Sequence, residues 1–372
     1  MGDEPRIILL AFDGFPRRAF GRKTTPNLWR LAQEGGYSPD GGRASLPATT
    51  YPGFACLLTG AGQWKTGVRT TSRKVGAVPG WAGTDRTRLP TIVHAGEAAG
   101  MKAIAVMGDR RLQRVLRLND LEGTWTPAML PPSVTELGSF GYPSNAAVRP
   151  LALSAAADPS VDFLFVHFTE TGTLSLAHGP NSVQAIESVR AADEIVGELL
   201  ERIDSDWDRT VLAVVSDHDI AERLSYPAID PTASLDCAGL VDDWIADGCA
   251  AWLSVSAGAD AHMAISRLVA LNGVESWRWR APNTLLLLAA PGRTFAAPWI
   301  PLHGLHGSAD TAKTLAIVGG GHPSVRRIGA SIGARPPHLT DWAPTLAGIL
   351  GVDLREAEGL NLTGSAALQQ VG

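Results

Sequence analysis

Short apolar runs alternate along this chain with amphipathic segments of helical period, and this limits its fold more than any other feature. A strand, a helix and a second strand in that order close most readily as a crossover unit of a parallel sheet. The runs are Arg6–Phe12, Lys102–Met107, Val161–His167, Thr210–Val215, Thr284–Ala289 and Leu315–Val318. Between them lie helical patterns at Thr25–Glu34, Leu89–Ala99, Ser182–Ile203 and His338–Leu350. Pro26, following a threonine, marks the start of the first helix, and Pro344 is expected in the first turn of the last. Gly/Pro-rich stretches at 35–47, 127–144 and 290–308 read as loops on the sheet's rim. A chain of 372 residues exceeds the size at which one core usually stops growing. The expectation is an α/β core at 1–224 and 284–372 with a cap or insertion at 225–283, where strand signals thin out and Trp277 and Trp279 read as cap core.

Charge and cysteine content exclude several classes. A net charge of −5 leaves no electrostatic footprint for nucleic acid or an anionic membrane. Cys56, Cys237 and Cys249 are odd in number and widely spaced, which rules out a disulfide framework and a zinc-finger pattern and fits a reducing compartment. The apolar run near the N-terminus is too short for a signal-peptide core or a membrane span, so the expected location is the cytoplasm.

The chemistry-bearing residues fall at strand ends. Asp13 closes the first strand in AFDG, Glu170 follows the third, and Asp217 with His218 closes the fourth in SDHD. In open α/β sheets the carboxyl ends of the strands line the ligand crevice. Carboxylates and imidazoles meeting there suit zinc, with manganese as the alternative, better than calcium, which wants more oxygens. The segment LPATTYPGFACLLTG at 46–60 supplies a hydroxyl, Thr50, at a helix start, where free N–H groups and the dipole favour a phosphoryl oxyanion. An ion held by Asp13, Asp217, His218 and Thr50 would lower the hydroxyl's pKa and screen the phosphate charge.

With those residues in place, the chain resembles the alkaline phosphatase superfamily, in its type I phosphodiesterase/nucleotide pyrophosphatase branch. The likeness runs from ILLAFDGF through TTPNLWRLAQEGG, the P-x-x-T-[FY]-P helix start at Pro47–Pro52, LLTG, HGPNS, VVSDH and HGS at 306–308 to LTDWAPTLAGILGVDL at 339–354. It implies a three-layer sandwich with a mainly parallel central sheet, helices on both faces and a small cap. It also implies a threonine nucleophile, Thr50, that forms a covalent phosphoryl intermediate, with a two-metal site around it. Asp13, Thr50, Asp217 and His218 would hold one ion, and His306 matches the family's late histidine on the other. Tyr51 and Gly53 would face the substrate.

The resemblance breaks at one place. Aligned without a gap, HFTETGTLSLAHGPNS at 167–182 puts Gly172 where the family has a ligating aspartate and Leu176 where it has a histidine. Gly53 stands where the family has an asparagine three residues after the nucleophile, and Asp219 replaces a glycine. Two readings follow. Either one ion remains, or Glu170 and His178, with His167 or His303, rebuild a second site; the sequence favours the single ion. Arg17, Arg43, Lys65 and Arg69 are candidates to replace the lost positive charge. The expected function is a metal-dependent hydrolase of phosphate mono- or diesters or a related phosphonate, acting on a small anionic substrate. The alternatives are a degenerate, non-catalytic binder of a phosphorylated metabolite and a recruited transferase or sulfatase-like enzyme of specialised metabolism.

Overall fold

The computed structural model describes residues 4–71, 86–125, 141–295 and 302–364. Most of the rim loop expected at 127–144, and part of that at 290–308, lies outside the described residues. In chain order the strands used below are β1 (Arg6–Phe12), β2 (Gly36–Tyr37), β3 (Ala103–Met107), β4 (Thr124–Trp125), β5 (Phe163–Phe168), β6 (Thr210–Ser216), β7 (Val241–Asp247), β8 (Ala250–Val255), β9 (Val274–Ala281), β10 (Thr284–Ala289) and β11 (Ala316–Gly319). The helices are α1 (Pro26–Glu34), α2 (Thr50–Thr59), α3 (Ile92–Ala98), α4 (Arg110–Val115), α5 (Asn145–Ala157), α6 (Glu170–His178), α7 (Val183–Arg202), α8 (Ala261–Val269), α9 (Ser324–Ala334) and α10 (Leu339–Leu350).

β1 is buried along its whole length, as a strand covered on both faces by helices must be. It lies near the centre of a seven-stranded sheet of order β2-β11-β6-β1-β5-β3-β4. β6, β1, β5, β3 and β4 run parallel; β11 pairs antiparallel with β6, and β2 pairs antiparallel with β11. Side chains alternate across this sheet into two cores. Ile7, Leu9 and Ala11 pack with residues of α2, α3, α9 and α10, whereas Ile8, Leu10 and Phe12 pack with α1, α5 and α7. The three-layer expectation therefore holds, with the mainly parallel sheet in the middle.

Register fixes the crevice. Phe12 pairs with Phe168 on one side and Ser216 on the other, so Asp13, Thr169 and Asp217 leave the sheet at the same level.

α2 differs from a surface helix in being buried at every residue from Thr50 to Thr59, as a helix that is apolar all round must be. It ends at Gly60, whose φ of +70° is cheap only for glycine and whose N–H closes onto the Cys56 carbonyl. In α10, His338 N–H donates to Asp341 Oδ2 at 2.9 Å and starts the helix at Leu339. Pro344 therefore falls inside α10 rather than in its first turn.

The run Thr284–Ala289, expected beside the central strands, pairs elsewhere. It is β10 of a separate four-stranded antiparallel sheet, β9-β10-β8-β7, and joins β9 as a hairpin, so this sheet runs past residue 283. A short apolar run does not reveal which sheet will take it, because period and length are the same in both. One face of this second sheet packs on α8, with Trp277 and Trp279 partly buried against that cluster. The other face, with Trp252, Leu286 and Leu288, packs on Leu46, just upstream of α2. Among the described residues no helix is long and apolar enough to cross a membrane.

Candidate active site

Three elements deliver the central groups: the end of β1 carries Asp13, the end of β6 carries Asp217 and His218, and the first turn of α2 carries Thr50. Thr49 adopts the extended conformation of an N-cap, which makes Thr50 the first residue inside the helix. Thr50 Oγ1 lies 3.2 Å from His218 Nε2 and 3.5 Å from Asp13 Oδ1. His218 Nε2 is also 3.3 Å from Asp217 Oδ2 and 3.7 Å from Asp13 Oδ1.

The protons at this centre can be placed by donor and acceptor logic. His218 Nδ1 stands 3.0 Å from the Asp219 carbonyl oxygen, which can only accept, so Nδ1 carries the hydrogen and Nε2 presents a lone pair to Thr50. Asp217 Oδ1 accepts from the N–H groups of Gly14 at 3.0 Å and His218 at 2.9 Å. Asp217 Oδ2 is buried without a hydrogen-bond partner. Burial pushes Asp13 well above the usual carboxylate range, with Asp217 and Asp109 adding to it. Burial raises Asp217 too, against its N–H partners. Burial likewise lowers His218 to about 4, which keeps the ring neutral at pH 7.

Acceptor atoms thus converge where burial disfavours their negative charge unless a cation accompanies it. Asp13, Asp217 and His218 offer ligand atoms within 4.8 Å of one another, and among the described residues they form the one such group. An orphaned buried carboxylate oxygen, a neutral imidazole and a second carboxylate are a donor set that fits a divalent cation, whose charge would offset the cost of burying two carboxylates together.

His306 belongs to the same neighbourhood: its ring stacks on His218 at 4.5 Å between centroids and 28° between planes, and its Nδ1 is buried without a partner. Gly53 packs on the end of β6, where a Cβ would stand 3.0 Å from Asp217 Cβ, a contact that requires the Asp217 side chain to give by a few tenths of an ångström. Asp219 turns away, its Oδ1 accepting from the N–H groups of Arg17 at 3.3 Å and Ile220 at 2.7 Å; burial raises its pKa to about 6.

Other expected residues are not brought together. Glu170 begins α6 and its Oε2 accepts from Asn145 N–H at 2.6 Å, while Asn145 Oδ1 accepts from Glu170 N–H, an exchange between the starts of two helices. His178 and His303 are exposed. His167 is fully buried in β5 with its ring against Phe54 at 4.5 Å and neither ring nitrogen partnered. The basic residues considered at the mouth are engaged elsewhere: Arg17 donates to the Pro39 carbonyl, Arg43 to that of Asp40, Lys65 pairs with Glu356 at 2.9 Å, and the Arg69 guanidinium lies 3.5 Å above the Trp64 ring.

Two carboxylates escaped the sequence reading. Asp109 caps α4 by accepting from Arg111 N–H at 2.6 Å and stands near enough to raise the pKa of both Asp13 and Tyr51. It follows β3 as Met-Gly-Asp, so the strand-end argument that picked out Asp13 would have found it. Asp247, at the end of β7 in the second sheet, carries no such signal.

A family model described as type I phosphodiesterase/nucleotide pyrophosphatase matches residues 7–244. No curated protein matches the chain. Among solved structures, an inactive murine ectonucleotide pyrophosphatase/phosphodiesterase 5 in complex with AMP is similar at a TM-score of 0.69 and 15% identity, over 97% of this chain and 99% of that chain. The human ectonucleotide pyrophosphatase/phosphodiesterase 5 is similar at 0.66 and 14%, over 96% and 98%. Phosphonoacetate hydrolase from Sinorhizobium meliloti 1021, in complex with phosphonoformate, is similar at 0.65 and 17%, over 84% and 90%. At such identities the likeness to these three speaks for the fold.

Proposed function

The chain belongs to the type I phosphodiesterase/nucleotide pyrophosphatase family, and from that membership and the Thr50 centre we propose that it is a metal-dependent hydrolase of phosphate mono- or diesters, or of a related phosphonate, with Thr50 as nucleophile. The observation that carries this reading is the Thr50 hydroxyl at the N-terminus of a fully buried helix, 3.2 Å from His218 Nε2 and 3.5 Å from Asp13 Oδ1. AMP and phosphonoformate in the structural relatives support a small phosphorylated or phosphonate substrate.

Asp13, Asp217, His218 and the Thr50 hydroxyl would hold the cation, zinc or manganese by their donor set. When bound, such an ion lowers the pKa of a coordinated hydroxyl and stabilises charge developing on phosphoryl oxygens. Thr50 Oγ1 gives up its proton to solvent and forms the new bond to phosphorus while the bond to the leaving group breaks, P–O in an ester or P–C in a phosphonate. The leaving group takes a proton from solvent, and water later releases the phosphoryl group and restores the Thr50 hydroxyl. The α2 dipole favours the anion next to that hydroxyl. His218 Nδ1, tied to the Asp219 carbonyl, keeps the ring oriented so that Nε2 faces Thr50.

The reading takes one ion. A Cβ on residue 172 would stand 2.8 Å from Asp13 Oδ1, so the position that lacks the family's aspartate also lacks room for one. Glu170 is committed to Asn145. The insertion that the sequence placed at 225–283, together with the rest of its sheet to Ala289, is proposed to act as a cap on this core.

The test is a substrate panel on purified protein supplied with zinc or manganese: p-nitrophenyl phosphate, bis(p-nitrophenyl) phosphate, p-nitrophenyl sulfate and phosphonoacetate, with Thr50→Ala as control. Turnover of a phosphorus substrate that disappears in Thr50→Ala supports the reading. Turnover of the sulfate alone, or phosphate-induced stabilisation without any turnover, overturns it in favour of a sulfatase-like enzyme or a non-catalytic binder.

A further inference from the structure

The second, antiparallel sheet reaches the Thr50 centre through one turn and one carboxylate. Residues 67–71 lie outside helix and strand, so their backbone groups must find partners elsewhere. Gly67 and Val68 N–H donate to Gln63 and Thr66, and the second sheet supplies partners for Arg69 and Thr71. Trp252 Nε1 in β8 donates to the Arg69 carbonyl at 2.9 Å. Asp247 at the end of β7 is 3% exposed, and its Oδ2 accepts from Thr71 N–H at 2.7 Å and from the Thr70 hydroxyl at 2.9 Å. Thr71 Oγ1 then accepts from the N–H of Tyr51, the residue after the proposed nucleophile, at 3.1 Å.

The connection between β7 and β8 grips the other side of the centre. Cys249 N–H donates to the His306 carbonyl at 2.8 Å, and a Cβ on Gly307 would stand 2.8 Å from the Asp247 carbonyl oxygen. The strand end that holds Thr71 thus also holds the backbone of the histidine stacked on His218. Two buried, unpartnered oxygens, Thr49 Oγ1 and Asp217 Oδ2, mark this helix start as a place that receives a further group.

We propose that Asp247 is a positioning residue for the Thr50 centre, acting through Thr71 on the first turn of α2. The inference rests on the hydrolase reading for its substrate, but the contact chain stands apart from it. A carboxylate oxygen that takes two short hydrogen bonds while nearly excluded from water makes a strong, directional tie. Without it, Thr71 loses the constraint that sets its hydroxyl against Tyr51 N–H, and the helix start gains freedom where a phosphoryl group must be held in line. Active-site constellations tolerate little such looseness.

The experiment compares Asp247→Ala, Asp247→Asn and Thr71→Val with wild type, each loaded with zinc. It measures orthovanadate binding by calorimetry, thermal unfolding, and kcat and KM on the best substrate of the panel. Loss of a charge-assisted hydrogen bond predicts that Asp247→Ala weakens orthovanadate binding and lowers kcat by about tenfold. KM should move little. Asp247→Asn, which keeps an acceptor oxygen, should recover most of both, and Thr71→Val combined with Asp247→Ala should be no worse than either alone. If Asp247→Ala lowers the unfolding temperature but leaves orthovanadate affinity and kcat as in wild type, the role is merely structural and the proposal falls. If Asp247→Ala does not fold, Thr71→Val carries the same decision. Wild type that binds orthovanadate in an Asp247-dependent way without turning over any ester keeps this proposal and removes the hydrolase reading; wild type that binds none removes both.

Discussion

Gly172 packs against Asp13 so closely that a Cβ on residue 172 would lie 2.8 Å from both the Asp13 carbonyl oxygen and its Oδ1. The first residues of α6 and the end of β1 are in contact through backbone, and Thr171 Oγ1 reinforces this by donating to the Asp13 carbonyl at 2.6 Å. The glycine that interrupts the family pattern is thereby a packing requirement of Asp13, the proposed metal ligand.

Restoring the family's aspartate should therefore fail. Gly172→Asp places a side chain and a like charge beside Asp13 and Asp217, and overpacking of this kind costs about 1–3 kcal/mol, more than the roughly 1 kcal/mol that a helical glycine ordinarily concedes. A lower urea midpoint and no gain of a second ion by elemental analysis are expected. Two ions per chain with unchanged stability would refute the packing argument.

Thr50 offers a cleaner test, because it is a small residue whose replacement leaves the surrounding core in place. Thr50→Ala should reduce turnover by roughly a thousandfold or more, as loss of a nucleophile does, while Thr50→Ser retains a measurable fraction. The unfolding temperature of both should stay within a few degrees of wild type. Equal activity of Thr50→Ala and wild type on the same phosphodiester would remove the hydroxyl from the mechanism.

Chelation should destabilise the protein, since a ligand that binds only the folded state contributes about 2.7 kcal/mol at a hundredfold excess over its Kd. Adding zinc or manganese back should restore the unfolding temperature in wild type but not in Asp217→Ala, whose parent carboxylate holds the unpartnered Oδ2. Differential scanning calorimetry with parallel metal analysis reads both. A full metal-induced shift in Asp217→Ala would place the ion elsewhere.

His167 should make stability fall in mild acid. Burial holds its pKa down to about 3, against 6.5 for the free side chain. Between those values the unfolded chain binds the proton and the folded chain does not, so this contribution is fully present above pH 6.5 and is lost as pH falls toward 3, at up to about 1.4 kcal/mol per pH unit. Urea unfolding of His167→Met between pH 6.5 and 4 should show a shallower slope than wild type. Identical slopes would mean that the ring is already protonated, or compensated, in the fold.

Much of this architecture could be read along the chain. The run Arg6–Phe12 is apolar at nearly every position, which only a strand covered on both faces accommodates, and LPATTYPGFACLLTG announces a helix too apolar to be anywhere but inside. Asp13, Asp217 and His218 were legible because each follows such a strand directly. Thr284–Ala289 was misplaced because its apolar pattern suits either sheet, and the carboxylate of Glu170, a candidate only in the two-ion alternative, accepts from Asn145.

The sequence by itself determined the family, the α/β class and the residues able to bear charge at the strand ends, because periodicity and strand-end position are local properties that survive in one dimension. Only the tertiary structure decided which of those groups meet. The tie from Asp247 to Thr71 spans 176 residues and depends on how two sheets dock, and the contact between Gly172 and Asp13 depends on tenths of an ångström of backbone approach. Close packing sets such distances for the whole molecule at once, so no single stretch of sequence carries them.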